Sequence, residues 1–270
     1  MSVIPPAVTF DLWNTLLVSP PGGIDVRRAF WESVIDDRGL DIPPDLLQSV
    51  LEMLPARFDA EWRAGRQYRA AEAMDDAYAA FGDRVGSADR RALAEAFDRA
   101  SSELVVDVVD GAAEVLAGLA GQGVALGLVS DTSLSAGRHL RGYLMAFGLY
   151  NHLGSLAFSD EIGVYKPEPE IFRAALAGLG VDDPVGAIHV GDLRRTDVAG
   201  ARALGMTTGR FRGVVDDEGG PEADYVIDRL DALPALLGLA GGAGSRIPRA
   251  TFGVRGSGRR TTSRRRGRTG

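Results

Sequence analysis

An α/β protein built on a doubly wound parallel sheet, with a bundle of helices inserted after its first strand, is predicted from three observations. Short apolar segments recur between positions 7 and 227, the early ones ending in a small polar or acidic residue. From Asp110 onward they alternate with helical periodicity, the pattern of parallel strands joined by crossover helices. Between the first segment and the rest, residues 25–104 are helical in period and carry no strand pattern.

The elements follow in order. Ala7-Val8-Thr9-Phe10 is a short buried strand with Asp11 at its C-terminal end. Pro20, Pro21, Gly22 and Gly23 mark a turn. Four amphipathic stripes come next: Val26, Phe30 and Val34; Leu47 to Phe58; Met74 to Phe81; and Leu93, Phe97 and Ala100. Pro55 should kink or break the second. Trp31, Trp62 and Tyr68 are assigned to packing. Then come a helix at 111–121, a strand from Val124 to Val129 ending in Ser130, and a strand at Ser155–Phe158. A helix at 168–179 begins behind Pro167 and Pro169, residues that suit a helix start. A strand at Ala187–Val190 runs into Gly191-Asp192, followed by a helix at 195–204 and a strand at Thr207–Phe211. A short strand at Tyr225–Ile227 and a helix at 229–239 close the pattern. Ligands of such sheets bind beyond the carboxyl ends of the strands. Asp11, Ser130 and Asp192 all fall there.

Composition narrows the function. Apolar residues at 45% and charged residues at 25% describe a globular chain rather than a disordered one. No apolar run is long enough to span a membrane, and the N-terminus lacks a secretion-signal pattern, so a cytoplasmic location is expected. With no cysteine, disulfides, thiol nucleophiles and Cys-based zinc sites are excluded. His139, His152 and His189 do not form a zinc motif. Net charge is -7, and residues 246–270 hold nine Arg and no acid, so residues 1–245 carry -16. A body that acidic repels nucleic acid and anionic lipid. The Gly/Arg-rich segment 241–270 is expected to be a disordered basic tail, the one part with any affinity for nucleic acid. The oligomeric state has no signal in the sequence.

The chain has 29 Arg and one Lys, Lys166. Either that Lys is a chance surface residue, or it marks a place where only a compact ammonium fits. Ser130 is either the N-cap of the next helix or an anion-binding hydroxyl, and the two are compatible. Asp197, five residues after Asp192, is either a helix cap or a carboxylate that orients others. Gly191 permits close backbone approach.

In this order, Asp11 with Thr15, Ser130, Lys166-Pro167, and Gly191-Asp192 with Asp197 resemble the four motifs of the haloacid dehalogenase (HAD) superfamily. The resemblance covers about residues 3–240. It implies a Rossmann-like core at 1–20 and 106–240 and a C1-type helical cap at 21–105. It implies further that Asp11 is a nucleophile forming an aspartyl-phosphate and that Lys166 clamps it. Thr15 and Ser130 would bind the phosphate. Mg²⁺ would be held by Asp11, Asp192 and the backbone carbonyl of Trp13, with Asp197 behind them. The implied partner is a small phosphoester.

Two positions depart from the family pattern. Phosphatases of the family carry a second Asp two residues after the nucleophile, as proton donor to the leaving group. Here Trp13 stands there, and an indole cannot exchange a proton at neutral pH. Position 131, often Asn in relatives, is Asp, either a relocated acid or a helix N-cap facing solvent. Three readings therefore stand: a Mg²⁺-dependent phosphatase, a metal-independent 2-haloacid dehalogenase, whose branch carries Tyr where Trp13 stands, and a binding protein retaining the fold. The carboxylate pair Asp192 and Asp197 favours the first.

Overall fold

In the computed structural model, which describes residues 5–239, the chain opens on β1 (Ala7–Phe10), every residue of which is buried. A tight turn leads to β2 (Leu17–Val18). Four helices follow: α1 (Gly23–Arg38), α2 (Pro44–Arg63), α3 (Ala70–Phe81) and α4 (Ser87–Ala100). The chain then returns through β3 (Asp107–Val108), which pairs antiparallel with β2 and ties the two ends of the helical insertion together. This ribbon was not anticipated, because two residues per strand leave no readable periodicity.

The remaining elements alternate. They are α5 (Ala112–Gly121), β4 (Ala125–Ser130), α6 (Gly137–Ala146), β5 (Ser155–Phe158), α7 (Ser159–Ile162) and α8 (Pro169–Gly178). After them come β6 (Ile188–Gly191), α9 (Ala199–Ala203), β7 (Thr207–Phe211), β8 (Tyr225–Ile227) and α10 (Leu233–Leu236). The six core strands form one parallel sheet in the order β5-β4-β1-β6-β7-β8. The chain winds outward on one side of β1 and then on the other, so the topological switch lies at β1 itself.

Strand period two divides the apolar residues between two cores. Val8, Phe10, Leu126 and Leu128 pack with Leu116 and Leu140 on one side. Ala7, Val129 and Ala157 pack with Ile171, Phe172 and Leu176 on the other. With both faces covered, the strands read as continuous apolar runs. The insertion has its own core around Trp31, Leu51, Leu54, Phe81 and Phe97, joined by Leu134 from the loop after β4.

Four expectations are corrected. Pro55 does not break α2, which runs from Pro44 to Arg63. An interior proline costs about 3 kcal/mol, and burial of Leu47, Val50, Leu51 and Leu54 along the same helix offsets it. The segment expected as a helix at 195–204 starts as a π-turn, Arg194–Val198, before α9. The last helix is a 3-10 turn, Leu230–Ala232, followed by α10. In α1 the buried stripe is Arg27, Trp31 and Val34, not Val26, Phe30 and Val34. The charged Arg27 turns inward because the Phe97 carbonyl and the Ser101 and Ser135 hydroxyls accept its N–H groups. Among the described residues no helix is long and apolar enough to cross a membrane. The basic tail, 241–270, lies outside the described residues.

Candidate active site

The sheet register brings the strand ends together. Phe10 is level with Leu128 of β4 and Val190 of β6. One residue further, Asp11 donates its backbone N–H to the Val190 carbonyl at 2.8 Å. Asp11 thus lies beside Gly191-Asp192, with Ser130 at the end of the neighbouring strand. The turn after Asp11 is closed by Leu16 and Leu17 N–H groups donating to the Leu12 carbonyl at 2.9 and 2.8 Å. Asn14 in that turn has a φ of 57° and donates from its side chain to Asp192 Oδ2 at 3.2 Å. Asn tolerates the left-handed region better than most residues.

Lys166 is the centre of the site. Its side chain is 3% exposed, and its ammonium donates to Asp11 Oδ1 and, at 2.7 Å, to Asp197 Oδ1. A surface origin for the sole lysine is therefore excluded. Asp197 is neither an N-cap in the ordinary sense nor solvent-facing. Its Oδ1 also accepts from His189 Nε2 at 3.0 Å, and its Oδ2 from the Leu193 N–H at 3.0 Å. His189 Nδ1 lies 2.9 Å from the Thr9 hydroxyl, so an Nε2–H tautomer satisfies both neighbours. Gly191 makes room: a Cβ there would fall 2.3 Å from Asp197 Cγ.

Charge dominates the energetics. Burial pushes the Asp11 carboxyl well above its usual value, reinforced by Asp197 and Asp192 and opposed by Lys166. Burial and Asp197 push Asp192 up to about 7. Asp197 goes the other way: burial would raise it, but Lys166 and His189 hold it below the ordinary carboxylate range. Burial would lower Lys166, but Asp11, Asp197 and Asp131 outweigh it and keep the ammonium charged. Burial lowers His189, keeping it neutral. Three buried carboxylates thus face one cation. Asp11, Asp192 and Asp197 each offer an oxygen within 4.8 Å of the others. Such a hard, oxygen-only, electron-rich set fits a divalent cation of the Mg²⁺ type.

The remaining predicted residues are placed as follows. The Thr15 hydroxyl is buried and has no partner among the described residues. Ser130 is buried, and its hydroxyl donates to the Asp131 carbonyl at 3.2 Å. Neither Ser130 nor Asp131 caps a helix, since α6 starts only at Gly137. Nor does Asp131 face solvent. Its Oδ1 accepts the Lys166 backbone N–H at 2.9 Å and its Oδ2 the Trp62 indole N–H at 2.8 Å. Burial pushes its pKa up, with Lys166 and Trp62 opposing. Trp13 sits in the turn after Asp11.

Sequence reasoning missed Trp62, His189 and Asn14. Trp62 belongs to α2 yet reaches Asp131 of the sheet layer, with Phe58 stacked at 6.4 Å and the Arg195 guanidinium 4.2 Å from the centre of its ring. Beside Lys166, the Tyr165 hydroxyl bonds the backbone N–H and carbonyl of Tyr68, each at 3.2 Å. Residues on both sides of the lysine backbone are thus tied to the helical insertion. Only His189, two residues before Gly191, carried a positional signal.

The sequence pattern of haloacid dehalogenase-like hydrolases matches residues 5–205, well over half of the chain. The chain belongs to this family. This HAD hydrolase is 37% identical over 106 residues to the mouse haloacid dehalogenase-like hydrolase domain-containing protein 3, covering 39% of this chain and 40% of that one. It is 40% identical over 126 residues to a phosphoglycolate phosphatase of Cupriavidus necator, covering 45% of this chain and 52% of that one. The matches thus span about half the length of these curated relatives or less. A HAD phosphatase structure from Thermococcus onnurineus superposes with a TM-score of 0.57 at 26% identity, over 87% of this chain and 99% of that one. A 2-haloacid dehalogenase from Pseudomonas syringae superposes with a TM-score of 0.65 at 22% identity, over 87% and 98% of the two chains. The latter speaks for the shared fold alone.

Proposed function

We propose that the chain is a Mg²⁺-dependent phosphatase of a small phosphorylated metabolite, working through an aspartyl-phosphate at Asp11, with the helical insertion as a C1-type cap. The observation that carries this reading is the Lys166 ammonium bonded to both Asp11 and Asp197, with Asp192 alongside. A phosphate dianion and a carboxylate repel each other; the Lys166 ammonium offsets part of that repulsion, and the excess carboxylate charge around it calls for a divalent cation to offset the rest. The phosphatase names among the relatives point the same way.

In this mechanism an Asp11 carboxylate oxygen attacks phosphorus and the ester P–O bond breaks. Water then attacks the phosphorus of the aspartyl-phosphate, releasing inorganic phosphate and regenerating Asp11. Lys166 holds the attacking carboxylate and the phosphoryl oxygens. The Thr15 hydroxyl, without a partner among the described residues, and the Ser130 hydroxyl at the end of β4 would donate to the phosphate. Asp11, Asp192 and the Trp13 carbonyl would hold Mg²⁺, with Asp197 behind, and the ion would supply Lewis-acid charge neutralisation. Asp197, fixed by His189 and Leu193, positions Lys166. Trp13 offers no proton to the leaving oxygen, which favours leaving groups that depart without one, such as aryl and acyl phosphates.

The dehalogenase reading draws on the aromatic residue at Trp13. It leaves the crowding of Asp192 and Asp197 behind Asp11 without a purpose. A hydrolysis screen over small phosphoesters with and without Mg²⁺, with 2-chloropropionate in parallel, separates the two. Mg²⁺-dependent phosphate release that Asp11→Asn abolishes is expected. Chloride release in EDTA, or phosphate release by Asp11→Asn, would overturn the proposal.

A further inference from the structure

Between α1, α2 and the loop after β4 lies a cavity of about 360 Å³. Its wall is largely apolar and includes Trp13, Ile24, Leu51, Leu54 and Leu104, and Arg27 is the one charged residue that lines it. The volume falls in the range of small-molecule sites, where an apolar lining holds the body of a ligand and a few polar groups orient it. Trp13, in the turn that follows Asp11, and Ser133 to Ser135, in the loop that follows Ser130, bring residues next in sequence to the carboxyl ends of β1 and β4 into the cavity wall.

Arg27 is unusual in its surroundings. It is 7% exposed, yet its hydrogen-bond partners among the described residues, Phe97, Ser101 and Ser135, are all uncharged. Nη1 donates to the Phe97 carbonyl at 3.1 Å and to Ser101 Oγ at 3.2 Å, and Nη2 donates to Ser135 Oγ at 3.1 Å. The guanidinium also lies 4.0 Å from the centre of the Phe97 ring. Among the described residues the other deeply buried arginine is Arg210, which has Asp216 and Glu222 as ion-pair partners at 2.6 and 2.9 Å. The acid that Arg27 senses at longer range, Asp98, is itself engaged by His139 and Arg138. Burial lowers the Arg27 pKa to about 10, so the side chain is still a cation at neutral pH. Three hydrogen bonds leave donor capacity on a guanidinium, which has five N–H groups in a fork that matches a carboxylate. A buried cation with no ion-pair partner among the described residues, lining an apolar cavity that Trp13 also lines, is an incomplete ion pair.

We infer that this cavity receives the leaving group of the substrate and that Arg27 binds a carboxylate on it, so that the substrate class is a phosphomonoester with a compact apolar body and a carboxylate remote from the phosphate. The inference rests on the phosphatase reading for the reaction, but not for the binding. It also gives Trp13 a use: where relatives place an acid, this chain places an apolar wall against the leaving group. Arg27 acts as a specificity residue rather than a catalytic one.

The test compares phenyl phosphate with 4-carboxyphenyl phosphate in wild type, Arg27→Gln and Arg27→Lys. In wild type the carboxylated ester is expected to have a kcat/KM at least tenfold higher, mostly through KM. In both variants the ratio between the two esters should fall at least fivefold. A wild-type ratio near one, or the same ratio in soluble Arg27→Gln, would overturn the inference. Because Arg27 also bonds α4 and the loop after β4, a variant that fails to fold is answered by a binding measurement on wild type. There 4-hydroxybenzoate should raise Tm and quench tryptophan fluorescence saturably, while its neutral isostere 4-hydroxybenzamide should not. Equal responses to acid and amide sink the proposal. If no phosphoester is hydrolysed but the acid still binds in preference to the amide, the phosphatase reading fails and the carboxylate site stands.

Discussion

Replacing Gly191 by Ala adds one methyl group at the most crowded point of the site. Gly191 ends β6 without a positive φ, so the backbone itself accepts alanine. The new Cβ would lie 2.3 Å from Asp197 Cγ, 2.6 Å from its Cβ and 2.7 Å from Oδ1. Ordinary carbon contacts begin near ~3.5 Å, so Asp197 must retreat by about 1 Å. Its bonds to Lys166, His189 and the Leu193 N–H, at 2.7, 3.0 and 3.0 Å, do not survive such a move. Hydrogen bonds to a charged group contribute roughly 1.5–3 kcal/mol each, so losing the three costs about 4.5–9 kcal/mol. That is a large share of a typical stability of roughly 5–15 kcal/mol. Lys166 would lose one of its two carboxylates, and a misplacement of about 1 Å commonly lowers rates about 100-fold. Urea melts give the stability, and p-nitrophenyl phosphate hydrolysis gives kcat and KM. The control is Gly118→Ala, in α5, where a Cβ meets nothing within 4 Å; it should be neutral or mildly stabilising. Gly191→Ala within about 1 kcal/mol of wild type and within threefold in kcat/KM would refute the reasoning.

Three further outcomes are expected. Lys166→Arg should fold and lose at least about 100-fold in kcat, since a planar guanidinium cannot occupy an ammonium's place between two carboxylates; steady-state rates within twofold of wild type would contradict this. Mg²⁺ at 100 times its dissociation constant should stabilise wild type by about 2.7 kcal/mol, seen as a rise in Tm, whereas Asp192→Asn should show a much smaller rise at the same concentration. Asp131→Asn should leave the ratio of kcat/KM for alkyl and p-nitrophenyl phosphates unchanged, because both carboxylate oxygens are occupied as acceptors from Lys166 and Trp62. It should nevertheless destabilise the protein by about 1–3 kcal/mol, since an amide NH₂ would face the indole N–H. A selective slowing of the alkyl ester would instead identify Asp131 as the relocated acid.

Several parts of this architecture are legible without coordinates, for definite reasons. A strand covered on both faces is a short uninterrupted apolar run, and its exit is marked by Asp11, Ser130 or Gly191-Asp192. Lys166 stands out because arginine serves at every other basic position. The illegible parts depend on contacts between distant segments. Arg27 is buried because Phe97, Ser101 and Ser135 converge on it, and those acceptors lie 70 to 108 residues away. A periodicity argument prefers Val26 and Phe30 for the same reason that it is usually right about apolar faces. The Asp131–Trp62 bond joins residues 69 apart, and neither residue type announces a partner. The π-turn at Arg194–Val198 carries no compositional mark; it sets Asp197 under Gly191.

The position of β1 has a consequence for how activity is lost. It pairs with β4 on one edge and β6 on the other, and all four of its residues are inaccessible to solvent. Its amide protons can reach water only when the sheet itself comes apart, so their exchange follows the global unfolding equilibrium rather than local fraying. The outer strand β8 is different, with one free edge and with Tyr225 and Val226 39% and 38% exposed. On warming, the periphery should fray first while the Asp11 carboxylate remains in place. Inactivation by heat should therefore coincide with cooperative melting, without an earlier phase in which Asp11 is displaced from a protein that is still folded.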